Sequence, residues 1–416
     1  MAQSSDAHGP AQICLPPGCS RRQFLRVGAA VAASTVAGPL SAVSAAATVE
    51  ALPPLPVRPA TRVAIVGVPR QAASGALEGA IREAAHTATD FSWLKPGDRV
   101  LLKPVSNSPN PYPATTHPAA VTVMASLLRE RGATVYVGEQ SGVQFVHHTP
   151  QSQRGSTRVC LRNNGLEQAG LAGNAQVVCF EEAGYQGYFV AGPPAGSHFK
   201  NDIFLPKLVT EVDHIIYLPR VSKHIMAGST LGLKVAVGWL REDSRHELHR
   251  DGATFAEKVA DINGCREIRE RLRLVLSVGT QVQTSFGPDS GHVATPEVGL
   301  VIASESVIDH DLASFAYLLE VSAQATPWSA RAFDPYPGLS SFINRSFVSY
   351  IWGAGNFMEV ESVNGPRLDS PWACRVLRRG CEIFGGRPER LAIENVSQSV
   401  PGPLLDAIIR RAAYPA

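Results

Sequence analysis

The chain has 416 residues, of which 44% are hydrophobic and 18% are charged, and its formal net charge is +2. A nearly neutral chain without a run of basic residues excludes nucleic acid as an expected partner, because duplex binding needs concentrated positive charge. Nothing after residue 47 has the roughly 18–20 consecutive apolar residues of a bilayer span, so we expect no permanent membrane span.

The N-terminus carries the pattern of an exported precursor. Arg21-Arg22 precede an Ala-, Gly- and Val-rich stretch over residues 27–47, which ends in small residues suited to a signal peptidase. This pattern predicts a twin-arginine signal peptide over residues 1–47, the twin-arginine translocase as a partner during export, and a periplasmic or otherwise extracytoplasmic protein. The alternative is a chance arginine pair before an Ala-rich tail.

Three further regions follow the signal segment. Residues 48–60 contain a stiff Pro-rich linker. Residues 61–320 are predicted to form an α/β domain. Residues 321–416 are predicted to form a C-terminal extension, which is aromatic-rich and irregular over residues 324–370 and helical from residue 371.

Apolar patterns of period 2 and period 3.6 alternate along the central region. Predicted strands cover residues 62–68, 99–102, 133–137, 175–180, 214–218, 271–278 and 299–303. Helices are predicted over residues 75–88 and 118–131, and the polar residues 140–164 are predicted to form a long loop. The predicted fold class is α/β, with a mostly parallel sheet, helices on both faces, and one lobe or two packed α/β lobes.

The residues that would hold common redox cofactors are missing. Five cysteines follow residue 47, and none of them forms a C-x-x-C pair. No G-x-G-x-x-G, Walker or G-x-S-x-G pattern occurs either. The sequence therefore gives no support for an iron–sulfur cluster or a dinucleotide, and it leaves the cofactor open.

Polar residues follow the first of three predicted strand ends. Lys103 ends a buried strand, and Thr116, His117 and Pro118 stand where a helix begins. A helix N-terminus beside a lysine is typical of anion sites, so Lys103, Thr116 and His117 are predicted to bind substrate. The alternative is a solvated Lys103 and a Thr116 that only caps the helix.

The segment after the strand at 214–218 holds the most informative pattern. It contains Lys223-His224, then Thr230, then Lys234 within an apolar stretch predicted to be helical, and His249 follows shortly afterwards. A lysine among apolar residues is costly to bury unless it is paired or binds an anion. We predict His224, His249 and Lys234 to be catalytic and Lys223 and Thr230 to bind substrate; the alternative is a Lys234 that extends its amine to solvent.

Acidic residues follow two other predicted strands. Glu139 closes the strand at 133–137, and Asp309 follows the strand at 299–303. We predict that both orient a histidine or bind a metal, and the alternative for Asp309 is a helix cap.

Together these junctions resemble the family known as domain of unknown function 362, over about residues 63–318. The matching positions are Lys103-Pro104, Thr116 with Pro118, Gly138-Glu139, Leu218-Pro219, His224, Thr230, Lys234, Gly238 and His249. The chain departs from the family pattern at Val105 and Val235, where asparagine is usual, and at Lys223, which stands one place after the family's second lysine. The resemblance implies an α/β fold and locates the site, while the cysteine cluster of many relatives has no counterpart here.

Two functions from different classes fit this pattern. The first is an enzyme that acts on a small anionic carboxylate or phosphate in a cleft lined by lysine and histidine, with or without a metal or cofactor. The second is a non-catalytic extracytoplasmic protein that binds a ligand or a partner through a degenerate site.

Overall fold

The computed structural model describes residues 54–73, 75–285, 289, 291–325, 346, 348–364 and 368–415. The predicted signal segment, residues 1–47, lies outside the described residues, as does most of the predicted aromatic segment. No helix in the described ranges is long and apolar enough to cross a membrane.

Strands and helices alternate through the described residues. The strands are β1 (Val57–Arg58), β2 (Arg62–Pro69), β3 (Arg99–Pro104), β4 (Thr134–Glu139), β5 (Val146–His148), β6 (Gln153–Gly155), β7 (Gln176–Cys179), β8 (Tyr188–Val190), β9 (Phe204–Pro206), β10 (His214–Leu218), β11 (Arg220–His224), β12 (Gly228–Thr230), β13 (Leu272–Gln283), β14 (Val293–Ala294), β15 (Val298–Ser304), β16 (Arg387–Pro388) and β17 (Ala392–Asn395). The α-helices are α1 (Ala76–Ala88), α2 (Pro118–Glu130), α3 (Thr157–Asn163), α4 (Leu166–Ala172), α5 (Leu208–Glu211), α6 (Gly232–Val235), α7 (Glu242–His249), α8 (Phe255–Gly264), α9 (Arg266–Arg269), α10 (Val307–Ala325), α11 (Ala354–Asn364), α12 (Arg375–Ile383) and α13 (Gly402–Ala412).

One large sheet organises the fold. Its main strand order is β17-β2-β15-β13-β10-β3-β4-β7, and β11, β12 and β14 extend it beside β13. Strands β13, β10, β3, β4 and β7 are parallel to one another, and so are β17 and β2, whereas β15 is antiparallel to both of its neighbours. The predicted mostly parallel sheet is confirmed.

Helices cover both faces of this sheet, also as predicted. Along β2, Val63 and Ile65 join one apolar core, whereas Ala64 and Val66 join the other, because successive side chains of a strand point to opposite faces. The first core packs α8, α10 and α12 against the sheet, and the second packs α1 and α2. The β-branched and apolar strand sequences are therefore buried on both sides, as crossover connections require.

The C-terminal residues complete the same sheet. The predicted C-terminal helices are present as α12 and α13, and β17 pairs in parallel with β2, from Ala392 opposite Arg62 to Asn395 opposite Ile65. Sequence patterns gave no sign of β17, because a four-residue strand at a sheet edge carries little periodicity.

The predicted loop over residues 140–164 is wrong in part. It contains the hairpin β5–β6 and the helix α3, whose N-cap Ser156 accepts a hydrogen bond from Val159 N. Cys160 and Leu161 of α3 are buried. The many polar residues of this segment conceal a short apolar face, so composition alone suggested a loop.

Candidate functional site

The carboxyl ends of β3 and β4 meet at a buried ion pair. Lys103 Nζ lies 2.6 Å from Glu139 Oε2, and both side chains are almost fully buried. The same ammonium donates to Pro104 O (3.0 Å) and to Val235 O (3.4 Å), so each of its three donors has a protein acceptor. Lys103, predicted to bind substrate, therefore ties β3 and β4 to the end of α6.

The β11–β12 hairpin follows the end of β10. Arg220, Ser222 and His224 alternate along β11 and so share one face, and Thr230 lies opposite Ser222 on the same face. Thr230 Oγ1 is buried without a hydrogen-bond partner in the described part of the chain. Lys223, also predicted to bind substrate, is buried and points to the other face of β11.

Lys234 lies on a helix of one turn rather than on the long apolar helix that was predicted. α6 covers only Gly232–Val235, and a 3-10 turn over Ala236–Trp239 follows it. Glycine has a low helix propensity, which opposes a longer helix here. Asp311 caps α6, because its carboxylate accepts from Gly232 N (2.7 Å) and Leu233 N (2.8 Å).

Five side chains form a cationic recess, which we define as Arg220, His224, Lys234, Arg245 and His249. Burial lowers the pKa of His224, and the charges of Lys234, Arg220 and His249 lower it further. The pKa of His249 is lowered to about 3 by burial, with Lys234 and Arg245 acting in the same direction. Charges act strongly only over short distances, so these effects place His224 and His249 near Lys234, with Arg220 and Arg245 beside it. The structure thus brings together the three residues that were predicted to be catalytic.

Lys234 has the pKa best matched to neutral pH. Burial lowers its pKa to about 7, the charges of Arg220 and Arg245 contribute to the decrease, and Asp289 and Glu139 oppose it. Its side chain nevertheless keeps partial solvent accessibility. An amine that is strongly desolvated and still accessible lies in a recess rather than in the packed core.

The two histidines present opposite hydrogen-bonding groups. His224 Nδ1 faces the backbone N–H groups of Met226 (3.0 Å) and Ala227 (3.1 Å), which assigns it as an acceptor and places the proton of the neutral ring on Nε2. His249 Nδ1 lies 2.8 Å from Arg245 O, which can only accept, so Nε2 carries the free lone pair. When both histidine rings are neutral, the cationic recess therefore contains an N–H donor on His224 and a nitrogen acceptor on His249.

Two cations of the cationic recess lack a carboxylate partner. Arg245 donates to Gln140 O (3.0 Å) and Val237 O (3.1 Å), and its Nε has no hydrogen-bond partner in the part of the chain that the structure describes. The side-chain amine of Lys234 makes no hydrogen bond, and neither side chain forms an ion pair within the described residues. Uncompensated positive charge in a desolvated recess favours an anionic ligand.

The other predicted substrate-binding residues lie outside the cationic recess. Thr116 Oγ1 donates to Leu218 O and accepts from Val105 N at 2.8 Å, so it joins the ends of β3 and β10 instead of capping a helix. The cap of α2 is His117, whose Nδ1 accepts from Ala119 N at 3.1 Å and whose ring packs edge-on against Tyr112.

Glu139 and Asp309, predicted to bind a metal or orient a histidine, belong to separate ion pairs. Glu139 pairs with Lys103, whereas Asp309 pairs with Arg58 and accepts from Thr61 N. The antiparallel direction of β15 places the start of α10, with Asp309, near the amino ends of the parallel strands. No group of three or more metal-ligating side chains occurs among the described residues.

Sequence patterns missed several groups around the cationic recess. Arg220 stands four residues before His224 on one strand, and Arg245 stands four residues before His249 on α7, so each shares a face with its histidine. Trp352, from the C-terminal extension, stacks on His249 with ring centroids 4.2 Å apart. The i, i+4 spacing could have identified the two arginines, but nothing local could have predicted Trp352.

A separate surface cavity of about 440 Å³ lies at the amino ends of β3 and β10. Its lining includes Trp93, Asp98 and His214. Two of its lining side chains already contact each other, since His214 Nε2 lies 3.0 Å from Asp98 Oδ2. Ligands of open α/β sheets bind at the carboxyl ends of strands, so the cationic recess is the stronger candidate site.

Comparison with known proteins identifies the family of this chain. The profile of a family described as "Domain of unknown function (DUF362)" matches residues 100–316, just over half of the chain. The chain therefore belongs to this family. The match covers every residue of the cationic recess and ends before Trp352.

One curated relative and two solved structures show more distant similarity. The thylakoid-associated protein sll1697 of Synechocystis sp. is 26% identical over 223 residues, which are 53% of this chain and 63% of that protein. A crystal structure of a Thermotoga maritima protein shares 16% identity at a TM-score of 0.40, covering 59% of each chain. The lactate racemase apoprotein of Thermoanaerobacterium thermosaccharolyticum shares 12% identity at a TM-score of 0.35, covering 60% of this chain and 54% of that one.

Proposed function

From the chain's membership of the domain of unknown function 362 family and its cationic recess, we propose an exported enzyme that acts on a small carboxylate or phosphate. The observation that carries this proposal is the convergence of Lys234, His224 and His249 beside Arg220 and Arg245. Two of these cations lack a carboxylate partner among the described residues, so a bound anion would supply the missing countercharge.

The groups in the cationic recess suit proton transfer on a bound anion. A general acid or base works best when its pKa lies near the operating pH, and the pKa of Lys234 is about 7. A bound anion stabilises the protonated forms of Lys234 and His249 and raises both pKa values. His224 Nε2–H and the buried hydroxyl of Thr230 remain as hydrogen-bond donors that could orient the ligand.

Anion binding should depend on Lys234 and on its protonation. In calorimetric titrations with inorganic phosphate and with a panel of small carboxylates, we expect Lys234→Ala to weaken binding at least about tenfold, the value of one lost charge-assisted contact. Because the ammonium form attracts the anion and its pKa is about 7, affinity should fall as pH rises above 7, by up to about tenfold per pH unit.

The control for this experiment is Lys207→Ala, since Lys207 is exposed and lies outside the cationic recess. Equal affinity of Lys234→Ala and wild type for every anion would exclude the recess as the binding site. If an anion binds but no product forms in a nuclear magnetic resonance time course, the non-catalytic binding protein is the better description. Product formation that His249→Ala abolishes supports the enzyme.

We propose export through the twin-arginine pathway as the route to an extracytoplasmic location. The supporting observation is Arg21-Arg22 before the apolar stretch of residues 27–47. The name of the 26%-identical relative, a thylakoid-associated protein, is compatible with a site outside the cytoplasm or at a membrane.

Export can be measured with residues 1–60 fused to a reporter that folds before translocation. Wild-type fusions should reach the periplasm, and the double variant Arg21→Lys with Arg22→Lys should remain in the cytoplasm. Arg26→Lys, a neighbouring arginine outside the pair, is the matched control and should be exported normally. Unchanged export of the double variant would contradict the proposal.

A further inference from the structure

The amine of Lys234 differs from those of the buried Lys103 and Lys258 in having no acceptor among the described residues. Lys103 is bonded to Glu139 and to two carbonyl oxygens, and Lys258 Nζ lies 2.9 Å from Asp251 and 3.2 Å from Glu247. Nothing in the described ranges accepts a hydrogen bond from Lys234 Nζ, although its side chain remains partly accessible. Its amine is therefore available to a ligand.

The backbone that carries this amine is fixed on all sides. Asp311 holds the first two N–H groups of α6, and His310 Nδ1 in turn lies 2.8 Å from Asp311 Oδ1. Asn263 donates to Leu233 O at 2.8 Å, and Lys103 donates to Val235 O. A one-turn helix held in this way presents its lysine in one position, as reactive groups require.

The neighbours of Lys234 favour the neutral form of its amine. Arg220 and Arg245 lie in the same recess, and positive charge beside a lysine disfavours its ammonium form. A lysine that is desolvated and placed next to other cations becomes a nucleophile for carbonyl groups. The same cations attract an anionic group, so a ligand that carries both groups would meet the amine and the positive charge together.

We propose that Lys234 forms an imine with the carbonyl carbon of a small anionic aldehyde or ketone, such as a 2-oxo acid. The proposal rests on the anionic substrate proposed above and specifies its chemical class. The Lys234 nitrogen forms a bond to the carbonyl carbon, and the C–O bond then breaks. The carbonyl oxygen leaves as water with the two protons of the neutral amine, so the step needs no oxidant, reductant or further reactant.

His249 can move the proton within this step. Its Nε2 lone pair is free, because Nδ1 faces Arg245 O. It can accept the proton that the nitrogen loses on attack and return it to the departing oxygen. Trp352 stacks on the ring and fixes its plane at this position.

The test is reductive trapping with glyoxylate, which combines an aldehyde and a carboxylate. The full chain is incubated at pH 7 with glyoxylate and cyanoborohydride, and the adduct is located by peptide mass spectrometry. We expect one adduct per chain, on Lys234, formed at least about tenfold faster than on the exposed Lys207, because the cations beside Lys234 favour its neutral amine and attract the carboxylate of glyoxylate. Methyl glyoxylate, the uncharged counterpart, should show a smaller preference for Lys234, because it still meets the neutral amine but is not attracted by the neighbouring cations.

Two controls separate this proposal from the proposed function. Lys234→Arg keeps a positive charge but no nucleophile, so it should lose the adduct, while its binding of glycolate, the unreactive analogue of glyoxylate, should fall less than that of Lys234→Ala. Wild-type protein that binds glycolate but labels Lys234 no faster than Lys207 would overturn the imine and leave the anion site standing. Failure of wild type to bind either glycolate or inorganic phosphate would count against both proposals.

Discussion

Replacing Gly238 with alanine is expected to destabilise the protein by about 3 kcal/mol or more, through a clash with the buried ion pair. A Cβ at this position would lie 2.0 Å from Glu139 Oε1 and 2.4 Å from Lys103 Nζ. Neither group can move freely, because Lys103 also holds Pro104 O and Val235 O, and Glu139 Oε1 accepts from Gln140 N. The added methyl group would separate the two charges in a desolvated position.

Urea denaturation of Gly238→Ala against wild type measures this effect. The matched control is Gly79→Ala, since Gly79 lies inside α1 and a Cβ there would meet nothing within 4 Å. Alanine is the better helix former, so the control should stabilise the protein by about 0.5–1 kcal/mol. Two variants with similar unfolding midpoints would show that the ion pair tolerates the extra methyl group.

Removing one partner of the Lys103–Glu139 pair should destabilise the protein by about 3–5 kcal/mol. Burial lowers the pKa of Lys103 and raises that of Glu139, while each partner's charge opposes the shift of the other. Each charge is therefore tolerated inside the protein only because the other is present. Lys103→Met and Glu139→Gln each leave a polar or charged group buried without its counterion.

The double variant measures how strongly the two buried charges depend on each other. The double variant Lys103→Met with Glu139→Gln should lose less free energy of unfolding than the two single variants lose together, with a coupling free energy of about 1–3 kcal/mol. The Arg82–Glu130 pair provides the control cycle, because its two hydrogen bonds of 2.7 and 2.9 Å join largely solvent-exposed side chains. Its coupling should stay below about 1 kcal/mol. Additive costs at Lys103 and Glu139 would mean that the two charges do not depend on each other.

The Lys103–Glu139 pair shows how a charged residue at a strand end can stabilise the fold without being available to a ligand. The sequence predicted Lys103 and Glu139 at strand ends, where ligands of α/β sheets bind. The structure has both residues at these positions, at the ends of β3 and β4. Their mutual contact satisfies both charges, whereas Lys234 and Arg245 remain without a carboxylate among the described residues. A strand end locates a residue near a site, but only its partners decide whether it is available to a ligand.

Local patterns by themselves determined the fold class and most strand positions, and they predicted a site in the segment from His224 to His249. They could do so because burial on two faces gives continuous apolar strands, and because an apolar environment around a lysine is visible in the sequence. The same patterns could not reveal that β15 runs antiparallel to β13, which moves Asp309 away from Glu139. Direction within a sheet depends on how distant strands pair, and side-chain periodicity is the same in either direction.

The tertiary structure alone decided which side chains meet in the cationic recess. Arg220 and Arg245 joined His224, Lys234 and His249, and Trp352 reached His249 from beyond the family region. Asp311, and not Asp309, holds the start of α6. The two residues are two positions apart on α10, so their side chains point about 200° apart and only that of Asp311 faces α6. The contact of Asp311 with Gly232 joins residues 79 positions apart, and Trp352 is more than a hundred positions from His249, so both contacts follow from packing and leave no local trace in the sequence.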